Sequence, residues 1–381
     1  MRLTDEQLAF RTAVRDFGSR ECGTREQRHS WIDPDEEDHS SALYSKLAQL
    51  GWLGVAIPEE YGGSDGTYVE QTLLFEELNR AMVPVKAIGA TTTVAGCYKR
   101  FGSEAQKKDA LAAVAAGEVM AISISEPGAG SDVSAISCAA KKVSGGYVLN
   151  GQKTWCSFAH IAERILLVAR TSHDEKPHQG LTIFEVPGDA AGLETRRIST
   201  MGGREVNDVF YTDCYVPEEN VVGAVGRGFP QIMAGLDGER LLAAAVGLGV
   251  AQRALDDLLA YVKQRKQFGH AIGSFQALRH RIADLATELE CARLITYEVA
   301  ERLQDPAGDR VETTRMTSMA KIKTTETAKA VALEGMQMMG GYGYATEYDM
   351  ESHVRYALLL PIYAGANEVM RDIISGSLGL R

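Results

Sequence analysis

Glu126-Pro127-Gly128-Ala129-Gly130-Ser131-Asp132, followed after a short connection by Asn150-Gly151-Gln152-Lys153-Thr154-Trp155-Cys156-Ser157, is the stretch on which the reading of this chain turns. The first half is a Gly/Ser turn entered from the apolar run Met120-Ala121-Ile122-Ser123-Ile124-Ser125. Its glycines permit backbone conformations closed to other residues, and its N–H groups and hydroxyls can hold an anion or a polar ring edge. The second half places a Trp on a strand, where a flat ring can lie against a flat ligand. A lone Trp is more often an ordinary core aromatic. The conjunction with the turn is what carries meaning. Gly128-Ala129-Gly130 also opens like a dinucleotide fingerprint, but Val133 stands where the third Gly belongs and strand texture follows. A nicotinamide-binding Rossmann unit is therefore set aside.

Around that stretch the chain changes texture twice. Residues 1–118 read as helices, opened by a capping box between Thr4 and Gln7 with Leu3 and Leu8 at staple spacing. A loop at Pro58-Glu59-Glu60-Tyr61-Gly62-Gly63 interrupts them, helical character resumes over 72–80, and an Ala-rich helix over 107–117 ends at Gly. Residues 119–225 are short apolar runs broken by turns. The runs at 139–142 and 147–149 flank Ser144-Gly145-Gly146, a hairpin signal, and further strands are expected at 164–169, 181–186 and 209–216. No helical pattern separates them, so a small antiparallel barrel or sandwich fits better than a parallel sheet. Residues 226–381 return to long helices. Phe275, Leu278, Ile282, Leu285, Leu289, Ala292 and Ile295 recur at steps of three or four, and Met316, Met319 and Ile322 begin another such face. The expected fold is α+β and multi-domain.

Composition bounds the partners. At 381 residues the chain exceeds the size of one hydrophobic core. With 45% apolar and 24% charged residues it reads as a globular protein, and its net charge of −11 argues against a general nucleic-acid or membrane surface. The six scattered cysteines form no C-x-x-C pair, which fits reduced thiols in a cytoplasmic setting and no metal site. No apolar secretory leader opens the sequence, and no apolar run reaches the length of a membrane span.

Three further segments complete the pattern. Arg265-Lys266-Gln267-Phe268-Gly269, with Phe275-Gln276 after it, lies between two long helical stretches. Gln337-Met338-Met339-Gly340-Gly341-Tyr342-Gly343 ends another, where Gly is commonly only a cap. Ile362-Tyr363-Ala364-Gly365-Ala366-Asn367-Glu368 precedes the last helix, whose N-terminus can face a ligand. Together, and in this order, the five segments resemble those of the acyl-CoA dehydrogenase family, and the resemblance runs essentially from Leu3 to the last helix.

The resemblance implies an N-terminal helical domain, a middle antiparallel β-barrel and a C-terminal four-helix bundle. It implies FAD as cofactor, an acyl-CoA thioester as substrate, its trans-2-enoyl-CoA as product, an electron-transfer flavoprotein as acceptor and a homotetramer. Carried over by position, Ile122, Ile124, Ser125, Gly130 and Ser131 line the flavin ring and its ribityl side, and Trp155 and Ser157 meet the ring. Arg265, Gln267, Phe268, Phe275, Gln276, Gln337, Gly340 and Gly341 serve the flavin of a neighbouring subunit, while Ala366, Asn367 and Glu368 meet flavin near the final helix. Ser131, Asp237, Arg240 and Gly365 match positions near the thioester. Two departures stand out: Ser125 and Ala366 occupy positions where the family often has Thr.

A third departure concerns the base. Many members carry a catalytic Glu where this chain has Ala364, which cannot accept a proton. The isovaleryl-CoA and long-chain branches place theirs at the position of Glu239, in Leu236-Asp237-Gly238-Glu239-Arg240-Leu241, with a small residue where Ala364 stands. A helical Glu is ordinarily solvated or Arg-paired. The empty site at Ala364 nonetheless makes Glu239 the expected base, and Glu126, in a structural turn, the poorer one. Other readings of the same fold are a subunit of a mixed tetramer that has lost its base, an enoyl-thioester reductase, or an enzyme of carrier-protein-bound substrates.

Overall fold

The computed structural model describes residues 2–33, 36, 39–173 and 175–380. Helix α1 (Asp5–Cys22) starts where the capping box places it, with Gln7 N–H donating to the Thr4 hydroxyl and Thr4 N–H to the Gln7 side chain. It is followed by α2 (Arg25–Trp31), α3 (Ser41–Gln49), α4 (Tyr68–Arg80), α5 (Ala87–Phe101) and α6 (Glu104–Ala116). The strands are β1 (Met120–Ser123), β2 (Ala139–Val143), β3 (Gly146–Ser157), β4 (Arg164–Arg170), β5 (Leu181–Pro187), β6 (Leu193–Thr200), β7 (Gly203–Pro217) and β8 (Val221–Val222). Then come α7 (Gly228–Gln264), a small ribbon of β9 (Lys266–Gln267) and β10 (His270–Ala271), α8 (Gln276–Arg302), α9 (Arg310–Met339), α10 (Gly341–Tyr344), α11 (Met350–Leu359) and α12 (Asn367–Ser377). These elements gather into two compact units: Trp31–Gly66 with Pro84–Leu236, and Met1–Ser30 with Thr67–Val83 and Asp237–Arg381.

The first unit is built on one sheet, ordered β6-β7-β3-β2-β4-β5-β8 with β1 on β4. The β2–β3 hairpin forms at the Ser144-Gly145-Gly146 turn, with Val143 opposite Gly146. The expected antiparallel barrel is corrected in two respects. The sheet is open, since β6 and β8 end the order without pairing to each other, and β1 runs parallel to β4 from Met120↔Arg164 to Ser123↔Leu167. Closure needs two edges with matched ladders. Here one edge is a largely exposed strand and the other only two residues long. Flanked on both sides, β4 is buried from Ile165 onward, as its unbroken apolar sequence requires. Its Leu166 and Val168 pack with Tyr98, Leu111 and Val114 of α5 and α6.

In the second unit α1 lies on α4, α4 on α8, and α9 contacts α8, α11 and α12. Gly249 on α7 is required by close approach, because a Cβ there would stand 2.3 Å from the Glu76 carbonyl oxygen on α4. The α8 face forms as its periodicity predicts, with Ile282, Leu285, Leu289 and Ala292 buried. Each large apolar side chain so buried contributes about 1.5–3 kcal/mol. On α9 the expected face of Met316, Met319 and Ile322 is only half-buried. The buried stripe is instead Thr313, Thr317, Ala320, Lys321, Thr324 and Ala328. Its hydroxyls satisfy themselves on the preceding turn, Thr317 on Thr313 O at 2.8 Å and Thr324 on Ala320 O at 2.9 Å, so they can be buried without loss.

Candidate active site

In the sheet unit the Gly/Ser turn is riveted to β3 by one buried pair. The Glu126 carboxylate accepts from Ser137 N–H at 2.9 Å, Ser137 O–H at 2.7 Å, Cys138 N–H at 2.8 Å and the Lys153 ammonium at 2.9 Å. Lys153, wholly buried, also donates to the Ile124 carbonyl at 2.7 Å. Burial favours the protonated acid at Glu126, but Lys153 and these N–H groups outweigh it and hold the carboxyl below its usual range. A carboxylate so engaged is a fastener, not a base.

The same assembly presents Trp155 outward. The ladder between β3 and β7 shifts register between Lys153 and Cys156, and Trp155 takes a left-handed backbone (φ +60) that leaves it 60% exposed between buried Thr154 and Cys156. Ile122, Ile124, Ser125 and Ser157 are half-buried beside it in the sequence of these strands, and Gly130 and Ser131 are exposed. Thr154 N–H donates to Ser125 O at 2.9 Å, tying the two motifs together. Gly130 has an open face: an added Cβ would meet no atom within 4 Å.

In the helical unit α7 brings Asp237, Glu239 and Arg240 to one place. Asp237 accepts from Arg240 at 3.1 Å and from the Thr314 hydroxyl at 2.6 Å, so both charges of this pair are held. The Arg240 Nε is buried without a hydrogen-bond partner among the described residues, and it lies 4.0 Å from where a Cβ on Gly365 would stand. Glu239 makes no hydrogen bond or ion pair among the described residues. Burial raises its pKa, opposed by the charges of Arg240 and Lys321. Ala364 and Gly365 are both left-handed, at φ +52 and +83. This turn hangs on Lys321, whose ammonium donates to Gly365 O at 2.8 Å, Asn367 Oδ1 at 2.9 Å and Pro361 O at 3.3 Å. Asn367 uses the rest of its amide on Thr325 and Glu326, both at 3.0 Å, so its polar atoms are engaged inside the protein, whereas Glu368 is exposed and Ala366 half-buried.

A second cluster in this unit gathers the remaining candidates. Arg265, at the end of α7, lies with its guanidinium 5.3 Å from the Tyr342 ring centroid, beside the Gly340-Gly341 turn. Phe268, 91% exposed, meets Phe275 edge-on at 6.3 Å. Gln267, Gln276, Gln337, Gly340 and Gly341 are exposed. Neither Gly340 nor Gly341 would bring an added Cβ within 4 Å of any atom.

In the sheet unit the outward Trp155 and the open face of Gly130 suit a flat aromatic ligand, and in the helical unit the exposed Arg265 and the open faces of Gly340 and Gly341 suit an anionic group. Three family models match the chain, the acyl-CoA dehydrogenase N-terminal domain over residues 4–118, the middle domain over 121–214 and the C-terminal domain over 226–379. The mitochondrial isovaleryl-CoA dehydrogenase of Solanum tuberosum is 35% identical over 98% of this chain and 90% of its own length. The chain belongs to the acyl-CoA dehydrogenase family. Members are FAD-dependent oxidoreductases, and FAD is the cofactor of this chain. The butyryl-CoA dehydrogenase of Megasphaera elsdenii has a TM-score of 0.90 at 32% identity, covering 99% of both chains. The caffeyl-CoA reductase–Etf complex subunit CarC of Acetobacterium woodii is 33% identical over 99% of both.

Lys321 and the fastening role of Lys153 escaped the reading of the sequence. A signal for Lys321 exists: it stands at four-residue spacing from Thr317 and Thr313, and three before Thr324, inside a stripe of small residues.

Proposed function

We propose that this chain removes hydrogen across the α and β carbons of an acyl-CoA thioester, with Glu239 as the base that takes the α-proton. The observation that carries the reading is the state of Glu239. It is a carboxylate without a direct partner among the described residues, its pKa raised by burial, on the helix that also presents Arg240. Such a group is more basic than a solvated Glu and free to accept a proton. Ala364 offers no competing acid and leaves room beside the reacting carbons, which admits branched acyl chains. Asp237 holds Arg240, and Arg240 keeps an unpaired buried N–H for a ligand. Lys153 and Glu126 fix the turn that bears Ser131. FAD, when bound, supplies the acceptor for the hydride that leaves the β-carbon.

The exposed Arg265, Phe268 and Gln337 support a second chain at each flavin, as a homotetramer would provide, and an electron-transfer flavoprotein suits the proposed acceptor. The opposite direction, reduction of an enoyl thioester, draws support from the likeness to a caffeyl-CoA reductase subunit. There Glu239 would return the proton.

The test is Glu239→Gln. It should keep FAD and thioester binding while lowering the rate of flavin bleaching by about 10²–10⁴-fold, the range for losing a general base. Bleaching at the wild-type rate would move the base elsewhere. Bleaching of the oxidised enzyme by acyl-CoA, set against reoxidation of the dithionite-reduced enzyme by enoyl-CoA, separates the two directions.

A further inference from the structure

A lysine fully inside a helical unit is costly unless its charge is used. Lys321 is such a residue, and none of its three hydrogen-bond partners is a carboxylate. All three acceptors, Pro361 O, Gly365 O and Asn367 Oδ1, lie in the turn between α11 and α12 or on the first residue of α12. That turn carries two successive left-handed residues, Ala364 and Gly365, of which the first has a side chain and gains nothing locally from the conformation. Something must hold it, and three directional bonds from one ammonium do so. The turn is also the part of the chain where Gly365 approaches Arg240.

The charge has a second use. Glu239 and Lys321 act on each other electrostatically: the carboxylate favours the charged ammonium, and the ammonium favours the ionised carboxylate. The other charges around them are Arg240 on α7, Glu326 on α9 and Glu368 on α12. Of these only Arg240 and Lys321 act to lower the Glu239 pKa.

Resting on the reading of Glu239 as base, we infer that Lys321 is a positioning residue of the reaction: it pins the 361–367 turn and lends Glu239 the positive charge that keeps it ionised. Desolvation pushes Glu239 toward its protonated form. The ammonium, hydrogen-bonded to no carboxylate, counters that without forming an ion pair that would blunt the base.

Three variants of the FAD-loaded enzyme separate these uses. Lys321→Met removes both charge and bonds, Lys321→Gln removes the charge and keeps donors, and Lys321→Arg keeps the charge on a fork that cannot reproduce three converging bonds. Flavin bleaching is followed against pH with the straight or branched acyl-CoA that bleaches wild type fastest. The acid limb should move to higher pH by about half a unit or more in Met and Gln, as expected on losing a nearby opposite charge, and stay in place in Arg. A merely structural lysine would not move that limb.

Hydrogen exchange of peptides spanning 361–367 reports the clamp without any substrate. It should quicken about tenfold or more in Met and Arg, as local opening becomes easier. If Met fails to fold, Gln and Arg still decide both questions. A wild-type limb in Gln, in an enzyme that Glu239→Gln disables, overturns the charge role. Wild-type exchange in Arg and Met, or in Arg alone where Met fails to fold, overturns the clamp. A Glu239→Gln enzyme as fast as wild type fails the base assignment instead, and leaves the exchange result to judge the clamp.

Discussion

Both units bury a lysine beneath a turn assigned to the site, and they treat its charge in opposite ways. In the sheet unit Lys153 meets a carboxylate, Glu126, at 2.9 Å, and the pair cancels within the core while fixing the Gly/Ser turn. In the helical unit Lys321 meets only carbonyl and amide oxygens. Its field is therefore available to Glu239. Burial lowers the pKa of both, and Lys321 falls to about 8. One lysine is a rivet whose charge is spent locally. The other is a rivet whose charge is exported.

The largest expected effect breaks the first rivet. Lys153→Met leaves the Glu126 carboxylate buried without its cation, and should cost about 3–5 kcal/mol of stability, as for other broken buried pairs. Denaturation followed by flavin release and by circular dichroism would measure it. Adding Glu126→Met should then recover much of the loss, since a buried pair is often replaceable by apolar groups of similar volume. If the double variant is no better than the single one, Glu126 matters through its N–H bonds to Ser137 and Cys138 more than through Lys153.

Acidity separates the two rivets next. The folded-state pKa of Glu126 lies below its unfolded value, so its contribution is present above the latter and lost as pH falls through the former. Lys321 shares that sign of slope, with stability rising with pH, but in an alkaline window and because a buried charge is relieved there. Its folded value of about 8 lies below the ordinary 10.5, so the unfolded chain binds more protons between them and stability should rise with pH across that window. Melting curves should show that alkaline rise in wild type and not in Lys321→Met. The smallest effect is local. Ala364→Gly relieves a left-handed alanine and should be neutral or stabilising by up to about 1 kcal/mol. A marked loss of stability there would mean that the methyl group packs, and that the clamp holds less strain than its bonds suggest.

What could be read in advance divides along similar lines. Local signals were legible: the capping box at Thr4, the hairpin at Ser144-Gly145-Gly146 and the period of α8 all appear where their chemistry places them. Whether β6 and β8 meet is a matter of distant edges, so sheet closure could not be read from strand composition. On α9 the apolar period pointed to the wrong face because threonines that bond the preceding turn can be buried as readily as methionines. At the site, Glu239 was singled out as the expected base through the missing carboxylate at Ala364. Lys321 was not, because lysine is read as a surface residue and its acceptors lie some forty positions away in the chain.

The left-handed bulge at Trp155 has an optical consequence. Of the three tryptophans, Trp155 alone is mostly exposed, while Trp31 and Trp52 are half-buried. Its indole should therefore dominate the long-wavelength side of the intrinsic emission. A yellow chromophore arriving against it would extinguish that component first. The bulge thus equips the protein with its own fluorescent gauge of cofactor occupancy, readable without substrate, partner or label.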